Sequence, residues 1–133
     1  MSKLIKYTVE HYKNAGVSDA DFVKWFNDVQ VANGLPLIKK HGIVKYAVHF
    51  RDAQLSTAFR AELDKVRPEW EVSGADLTIE YYLPDIYLIQ NLLADPEWES
   101  KAAKDQANFV DLSKSTIHIG YETVYLENGN ILN

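Results

Sequence analysis

The chain has 133 residues, of which 47% are hydrophobic, and a net charge of −5; this suits one globular domain, residues 1–133, with a core of its own. Its 14 basic residues are scattered and outnumbered by 19 acidic ones, so we expect no nucleic-acid partner. The absence of cysteine excludes disulfides, thiol nucleophiles and cysteine-bound metals.

The N-terminal third predicts one strand and two helices. Apolar and polar residues alternate over residues 4–12, which indicates a strand. A serine followed three residues later by an aspartate, at residues 18–21, forms a capping box that opens a helix. We expect this helix to end at residues 33–34 and a short second helix to follow over residues 35–42, with Gly42 as its left-handed stop.

The remainder of the chain alternates predicted strands and helices. In order, these are a strand at 43–50, a helix around 59–66, a strand at 76–83, a helix opened by Pro84, a short helix capped by Asp95, an irregular stretch at 105–114, and a strand at 116–126 before a turn at 128–129. Because every strand has an apolar half, we expect helices on one side of the sheet. The opposite face is mixed, and periodicity leaves open whether water or a second subunit covers it.

Four segments carry a pattern that extends over most of the chain. They are residues 39–46 (KKHGIVKY), 83–98 (LPD through LLADPEW), 104–114 (KDQANFVDLSK) and 119–122 (IGYE). In order and spacing they resemble the EthD-like branch of the dimeric α+β barrel superfamily, especially its small fungal members. The resemblance implies an α+β, ferredoxin-like fold: a four-stranded antiparallel sheet with helices on one face, paired with a second copy into a homodimer. Many such relatives act in aromatic polyketide pathways, among them atrochrysone carboxylic acid decarboxylase-like proteins.

One feature of that family is missing here. Many EthD-like proteins carry an acid-histidine step shortly before the proline of the first helical segment. This chain has Gln30 and an apolar run before Pro36, and no histidine lies between His11 and His41. A mechanism that needs a histidine at that position therefore does not transfer to this chain.

Aromatic residues from several elements fall on the face that we assign to the helix side. A planar polyketide would stack on such walls, whereas the alternative for each ring is a packed core position. We predict these substrate-binding residues: Tyr7, Trp25, Phe26, Ile79, Trp98 and Phe109.

Three further residues are the predicted catalytic groups. The hydroxyls of Tyr46 and Tyr81 would hold ketone or phenol oxygens. His11, on the same strand face as Tyr7, would carry a proton, the alternative being a surface residue at a strand end.

Taken together with what the resemblance implies, these residues favour a cofactor-independent lyase, a decarboxylase or dehydratase acting on an aromatic or pre-aromatic polyketide in secondary metabolism. A β-keto acid carries its own electron sink, so positioned hydroxyls and one histidine suffice. The alternatives are a cofactor-free anthrone-type oxygenase or polyketide cyclase, and a non-catalytic barrel that binds small molecules.

Motifs for metals and nucleotides are missing, so we expect no metal and no cofactor. The N-terminal residues lack the pattern of a signal peptide, and no apolar run is long enough to span a bilayer. We therefore expect no membrane partner and a cytoplasmic location.

Overall fold

Four strands form one antiparallel sheet in the order β2-β3-β1-β4. The strands are β1 (Ile5–His11), β2 (Lys45–Phe50), β3 (Leu77–Leu83) and β4 (Thr116–Tyr121). The computed structural model describes residues 3–132, so Met1, Ser2 and Asn133 of the predicted domain lie outside it. The strand order, with helices on one face of the sheet, confirms the predicted ferredoxin-like fold.

The pairing register brings aromatic residues of three strands side by side. Tyr81 on β3 pairs with Tyr7 on β1 and with Tyr46 on β2. Because directly paired residues point to the same face of a sheet, all three side chains face the helices. His11 pairs with Leu77 at the end of β1, on the same face.

Helix α1 (Asp19–Trp25) begins as predicted, with the Ser18 hydroxyl accepting a hydrogen bond from the Asp21 backbone N–H at 3.1 Å. The chain then continues without a break through a first π-helical segment (Phe26–Val31) into α2 (Ala32–Lys40). The prediction that residues 33–34 end the helix is therefore wrong.

Packing explains why the helix does not stop at Gly34. A Cβ atom at this position would lie 3.1 Å from the Trp98 ring and 3.3 Å from the Ala102 Cβ, so only glycine allows the helix to approach that closely. The predicted stop at Gly42 is confirmed, since this residue has φ +83° just after α2.

Helix α3 (Ala53–Val66) connects β2 to β3 and buries one of its side chains, Leu63. Helix α4 (Tyr87–Ala94) follows β3, and a second π-helical segment (Trp98–Ala102) follows in turn. Within residues 3–132, no helix is both long and apolar enough to cross a membrane.

The stretch predicted as irregular is partly helical. It contains the single-turn helix α5 (Gln106–Phe109) and a 3₁₀ turn (Leu112–Lys114) capped by the Asp111 carboxylate. The last long strand is also shorter than predicted, since β4 ends at Tyr121. A small hairpin follows, formed by β5 (Leu126–Glu127) and β6 (Asn130–Ile131).

The core lies between the sheet and the helices. Its most completely buried large side chains are Phe22, Phe26, Leu77, Ile79, Leu83, Leu92 and Val110. The opposite face of the sheet is polar, and a salt bridge joins Lys6 Nζ to Glu80 Oε1 at 3.4 Å. Lys6 and Lys45 lie 5.5 and 4.8 Å from the centre of the Tyr82 ring between them.

Candidate active site

A cavity of about 380 Å³ lies between the helix-facing side of the sheet and the helical layer above it. Strands β1, β3 and β4 form one wall, and both π-helical segments, α4 and α5 contribute to the other. The lining residues are Tyr7, Val9, His11, Gln30, Ile79, Tyr81, Ile89, Leu93, Trp98, Glu99, Ala103, Gln106, Leu112, Ser115 and Ile117. This mixture of an apolar wall and a few polar groups suits a small organic ligand.

A second recess, of about 390 Å³, lies between the end of β2 and α3. Its lining is mostly polar and includes Arg51, Arg60 and Glu71. A planar apolar ring would find little to stack on there, whereas the cavity beside the tyrosines combines aromatic rings with a buried histidine and is the candidate active site.

His11 is buried at the cavity end of β1, with 6% of its surface exposed. Its Nδ1 lies 2.7 Å from the Ser115 hydroxyl oxygen, just before β4. Burial lowers the pKa of His11 to about 4, so the imidazole is neutral at physiological pH. The alternative of a surface histidine at a strand end is therefore wrong, and Nε2 remains to accept or donate a proton.

Three tyrosine rings form a continuous row across the sheet. The Tyr7 and Tyr81 centroids are 5.8 Å apart, those of Tyr81 and Tyr46 are 5.0 Å apart, and both contacts are edge-to-face. Burial raises the pKa of all three phenols, so they remain protonated and able to donate hydrogen bonds at neutral pH.

Only part of this row of tyrosines lines the cavity. Tyr7 and Tyr81 line the cavity, whereas Tyr46 stands behind Tyr81 and does not. The Tyr46 hydroxyl is buried and has no hydrogen-bond partner among residues 3–132. The structure therefore places two of the three tyrosines in the cavity wall and the third against its neighbour's ring.

Six binding residues were predicted, and three of them line the cavity: Tyr7 and two others. Ile79 contributes from the middle of β3, and Trp98 from the start of the second π-helical segment. The edge of the Trp98 ring packs closely against Gly34, as described above. This indole can therefore serve as a flat wall for a planar ligand.

The other three predicted binding residues lie outside the cavity. Trp25 stacks on Phe109 with centroids 5.2 Å apart, and its indole N–H donates to the Lys104 carbonyl at 3.0 Å. Phe26 is fully buried, with its ring 5.6 Å from that of Phe50. These rings fill the space between α1, β2 and α5, which corrects their assignment to the pocket wall.

Sequence reasoning missed four polar residues of the cavity, Gln30, Glu99, Gln106 and Ser115, of which Gln30 and Ser115 matter most here. Ser115 gave no signal, because a single serine before a strand is common. Gln30 was noted only for not being a histidine, yet it is 3% exposed and its Oε1 has no hydrogen-bond partner within residues 3–132. A buried acceptor without a donor costs roughly 1–3 kcal/mol.

The remaining histidines lie away from the cavity. His41 caps the end of α2, where its Nε2 is 2.7 Å from an Asp95 carboxylate oxygen. Hydrogen bonds from His41 and from the Glu97 backbone lower the pKa of Asp95 to about 2. His49 and His118 are exposed, and residues 3–132 contain no cluster of three side chains suited to hold a metal ion.

Comparison with known proteins identifies relatives along most of this chain. Residues 14–113 match the model of the EthD domain. Dehydratase iacD of Pestalotiopsis fici is 50% identical over 131 residues, which cover 98% of this chain and 94% of that protein. Dehydratase CTB10 of Cercospora beticola is 30% identical over 114 residues, 86% of each chain.

A solved structure shows the same fold at low sequence identity. A dimeric protein of ferredoxin-like fold from Bacteroides fragilis superposes with a TM-score of 0.60 at 13% identity. The match covers 90% of this chain and 96% of the other.

Proposed function

The chain belongs to the EthD domain family, and we propose that it is a dehydratase, a cofactor-independent lyase acting on an aromatic or pre-aromatic polyketide. The observation that carries the proposal is the cavity of about 380 Å³, where a buried, neutral His11 shares the walls with Tyr7, Tyr81 and Trp98. The 50% identity to Dehydratase iacD favours loss of water over loss of carbon dioxide.

Loss of water from a β-hydroxy ketone needs only proton transfers. The neutral imidazole of His11 removes the proton on the carbon beside the carbonyl, and the C–H electron pair forms the enolate. The enolate then collapses, the C–C double bond forms and the β-hydroxyl leaves. The imidazolium returns its proton to the departing oxygen, which completes a water molecule and restores the neutral histidine.

The surroundings of His11 suit this sequence. Tyr7 and Tyr81 stay protonated, so their hydroxyls can donate to the enolate oxygen as negative charge develops there. Ser115 holds Nδ1 and fixes the ring orientation. In this proposal Tyr46 acts through its contact with Tyr81 and positions that ring.

The direct test is to incubate the protein with a polycyclic β-hydroxy ketone and analyse the products by mass spectrometry. A product lighter by one water molecule supports the dehydratase. Loss of carbon dioxide would identify a decarboxylase, and uptake of oxygen an oxygenase. Binding without turnover across a panel of such ketones would leave a ligand-binding barrel and contradict the proposal.

Two tyrosine variants add a matched control to this assay. Tyr81→Phe removes a hydroxyl from the cavity and is expected to lower kcat by about a hundredfold, in the range of a lost oxyanion donor. Tyr87→Phe removes an exposed hydroxyl on α4 and should leave kcat unchanged. Equal rates in the two variants would take Tyr81 out of the mechanism.

We also propose that the protein is a cytoplasmic homodimer. Support for the dimer comes from the apolar residues exposed on β4 and the C-terminal hairpin and from the resemblance noted above. The absence of cysteine suits a reducing compartment.

A further inference from the structure

Gln30 is a buried polar group of the cavity that the proposed dehydration does not use. Its side chain lines the cavity, and its Oε1 is shielded from solvent without a hydrogen-bond donor among residues 3–132. Buried polar groups in folded proteins are nearly always paired, so this acceptor calls for a partner from outside the chain.

The local fold directs this residue to the cavity. Gln30 lies in the first π-helical segment, where the other buried side chain, Phe26, packs in the core. Wide helical turns of this kind are frequent at functional sites. An apolar side chain would fill the same position without leaving an acceptor unpaired, so packing alone does not explain a glutamine there.

Gln30 and the reacting groups lie on opposite walls. His11 and Tyr81 belong to the sheet, whereas Gln30 and Trp98 belong to the helical layer. A ring that presents its carbonyl to His11 and Tyr81 would present another of its edges to Gln30. The group met there must donate a hydrogen bond, because the unpaired atom is a carbonyl oxygen.

We propose that Gln30 is a substrate-binding residue that accepts a hydrogen bond from a free hydroxyl group, a phenol or an enol, on the substrate ring. This inference rests on the proposed function and narrows its substrate class to hydroxylated rings. A methyl ether at the same position has no proton to donate and leaves the Gln30 carbonyl unpaired.

The test is calorimetric binding of 1-naphthol and of 1-methoxynaphthalene, its methyl ether. Wild-type protein is expected to bind 1-naphthol at least about tenfold more tightly, because a site built around a hydroxyl group rejects an analogue that cannot donate. Gln30→Met, of similar shape but without the amide, should lose this preference. Gln90→Met, an exposed position on α4, is the matched control and should keep it.

Equal affinity of the wild-type protein for the two probes would overturn the inference, as would a full preference in Gln30→Met. If Gln30→Met does not fold, Gln30→Glu keeps an acceptor and must keep the preference, while Gln30→Leu must lose it. Binding is measured without turnover. A preserved preference in a protein without dehydratase activity would therefore refute the proposed function and leave the role of Gln30 standing.

Discussion

At the scale of single residues, the environment of His11 decides what the site can do. The alternation of polarity places His11 on the same face as Tyr7, and this was predictable from sequence. Its contact with Ser115 joins residues 104 positions apart, so no local pattern reveals it. Burial of this pair lowers the pKa of the histidine, which is therefore a neutral base at physiological pH.

This environment predicts an unusual pH dependence. The base form of His11 is present above its pKa of about 4 and is lost as the pH falls below that value. We therefore expect kcat/KM to stay level between about pH 5.5 and 7.5, across the usual histidine pKa of about 6.5, and to fall only towards pH 4. Stopped assays across this range, with circular dichroism at each pH to confirm folding, measure the profile.

His11→Gln is the control for that profile and should be inactive at every pH. If the variant is inactive, a wild-type inflection near pH 6.5 would show that His11 titrates normally. The account of a desolvated base would then be wrong.

The cavity also shows that sequence does not predict which buried residues line a cavity. Helical spacing correctly indicates that Trp25 and Phe26 are buried, yet it cannot separate a packed ring from a cavity wall. A π-helical segment starts at Phe26 and shifts the helical phase of everything after it, so that Gln30 faces the cavity. Nothing in the apolar spacing marks this shift.

At the scale of elements, the contact of α2 with the second π-helical segment shapes the helical wall of the cavity. Gly34 allows this contact, and its neighbour Asn33 strengthens it by donating from its side-chain amide to the Lys101 carbonyl at 3.1 Å. Sequence reasoning took this Asn-Gly pair as a helix end because it usually is one. The tertiary contact overrides that local preference.

Gly34→Ala tests this contact. The added methyl group would press on Trp98 and Ala102, which are both buried, and overpacking of this kind costs roughly 1–3 kcal/mol. Alanine regains up to about 1 kcal/mol through its better helix propensity. We therefore expect a net loss of up to about 2 kcal/mol in urea unfolding, together with weaker ligand binding.

Gly120→Ala is the matched control, because a Cβ at this exposed position on β4 meets nothing within 4 Å. It should leave the free energy of unfolding almost unchanged. Equal stability of the two variants would mean that Trp98 is not held by the close approach of α2.

At the scale of the whole molecule, the strand order followed from the family resemblance and not from periodicity. Alternation gave the four strands and the side that faces the helices. Alternation did not predict which strands lie side by side or that β4 ends early, because strand pairing depends on residues far apart in sequence. The short C-terminal hairpin could be predicted only as the turn at Asn128 and Gly129, whose positive φ angles of 53° and 78° suit that pair.

The C-terminal part of the chain carries an exposed apolar surface. It consists of Ile117, Ile119, Tyr121, Val124, Tyr125, Leu126 and Ile131. A monomer rarely exposes so many neighbouring apolar residues, and a second copy of the chain would cover them.

Sedimentation of wild-type and variant protein tests this dimer. Tyr121→Lys, at a residue 73% exposed, should raise the dimer dissociation constant at least about tenfold, since a lysine charge would be buried at the interface. Tyr87→Lys, at a tyrosine 64% exposed on α4, should leave it unchanged. A wild-type monomer at high concentration would rule the dimer out.

The central claim is that a substrate ring occupies the cavity between the sheet tyrosines and Trp98. A crystal structure with bound 1-naphthol tests it most directly. We predict a ring against Trp98, with its hydroxyl within hydrogen-bond distance of the Gln30 side chain. A ring bound outside this cavity, or a cavity closed by the side chains that line it here, would contradict the account.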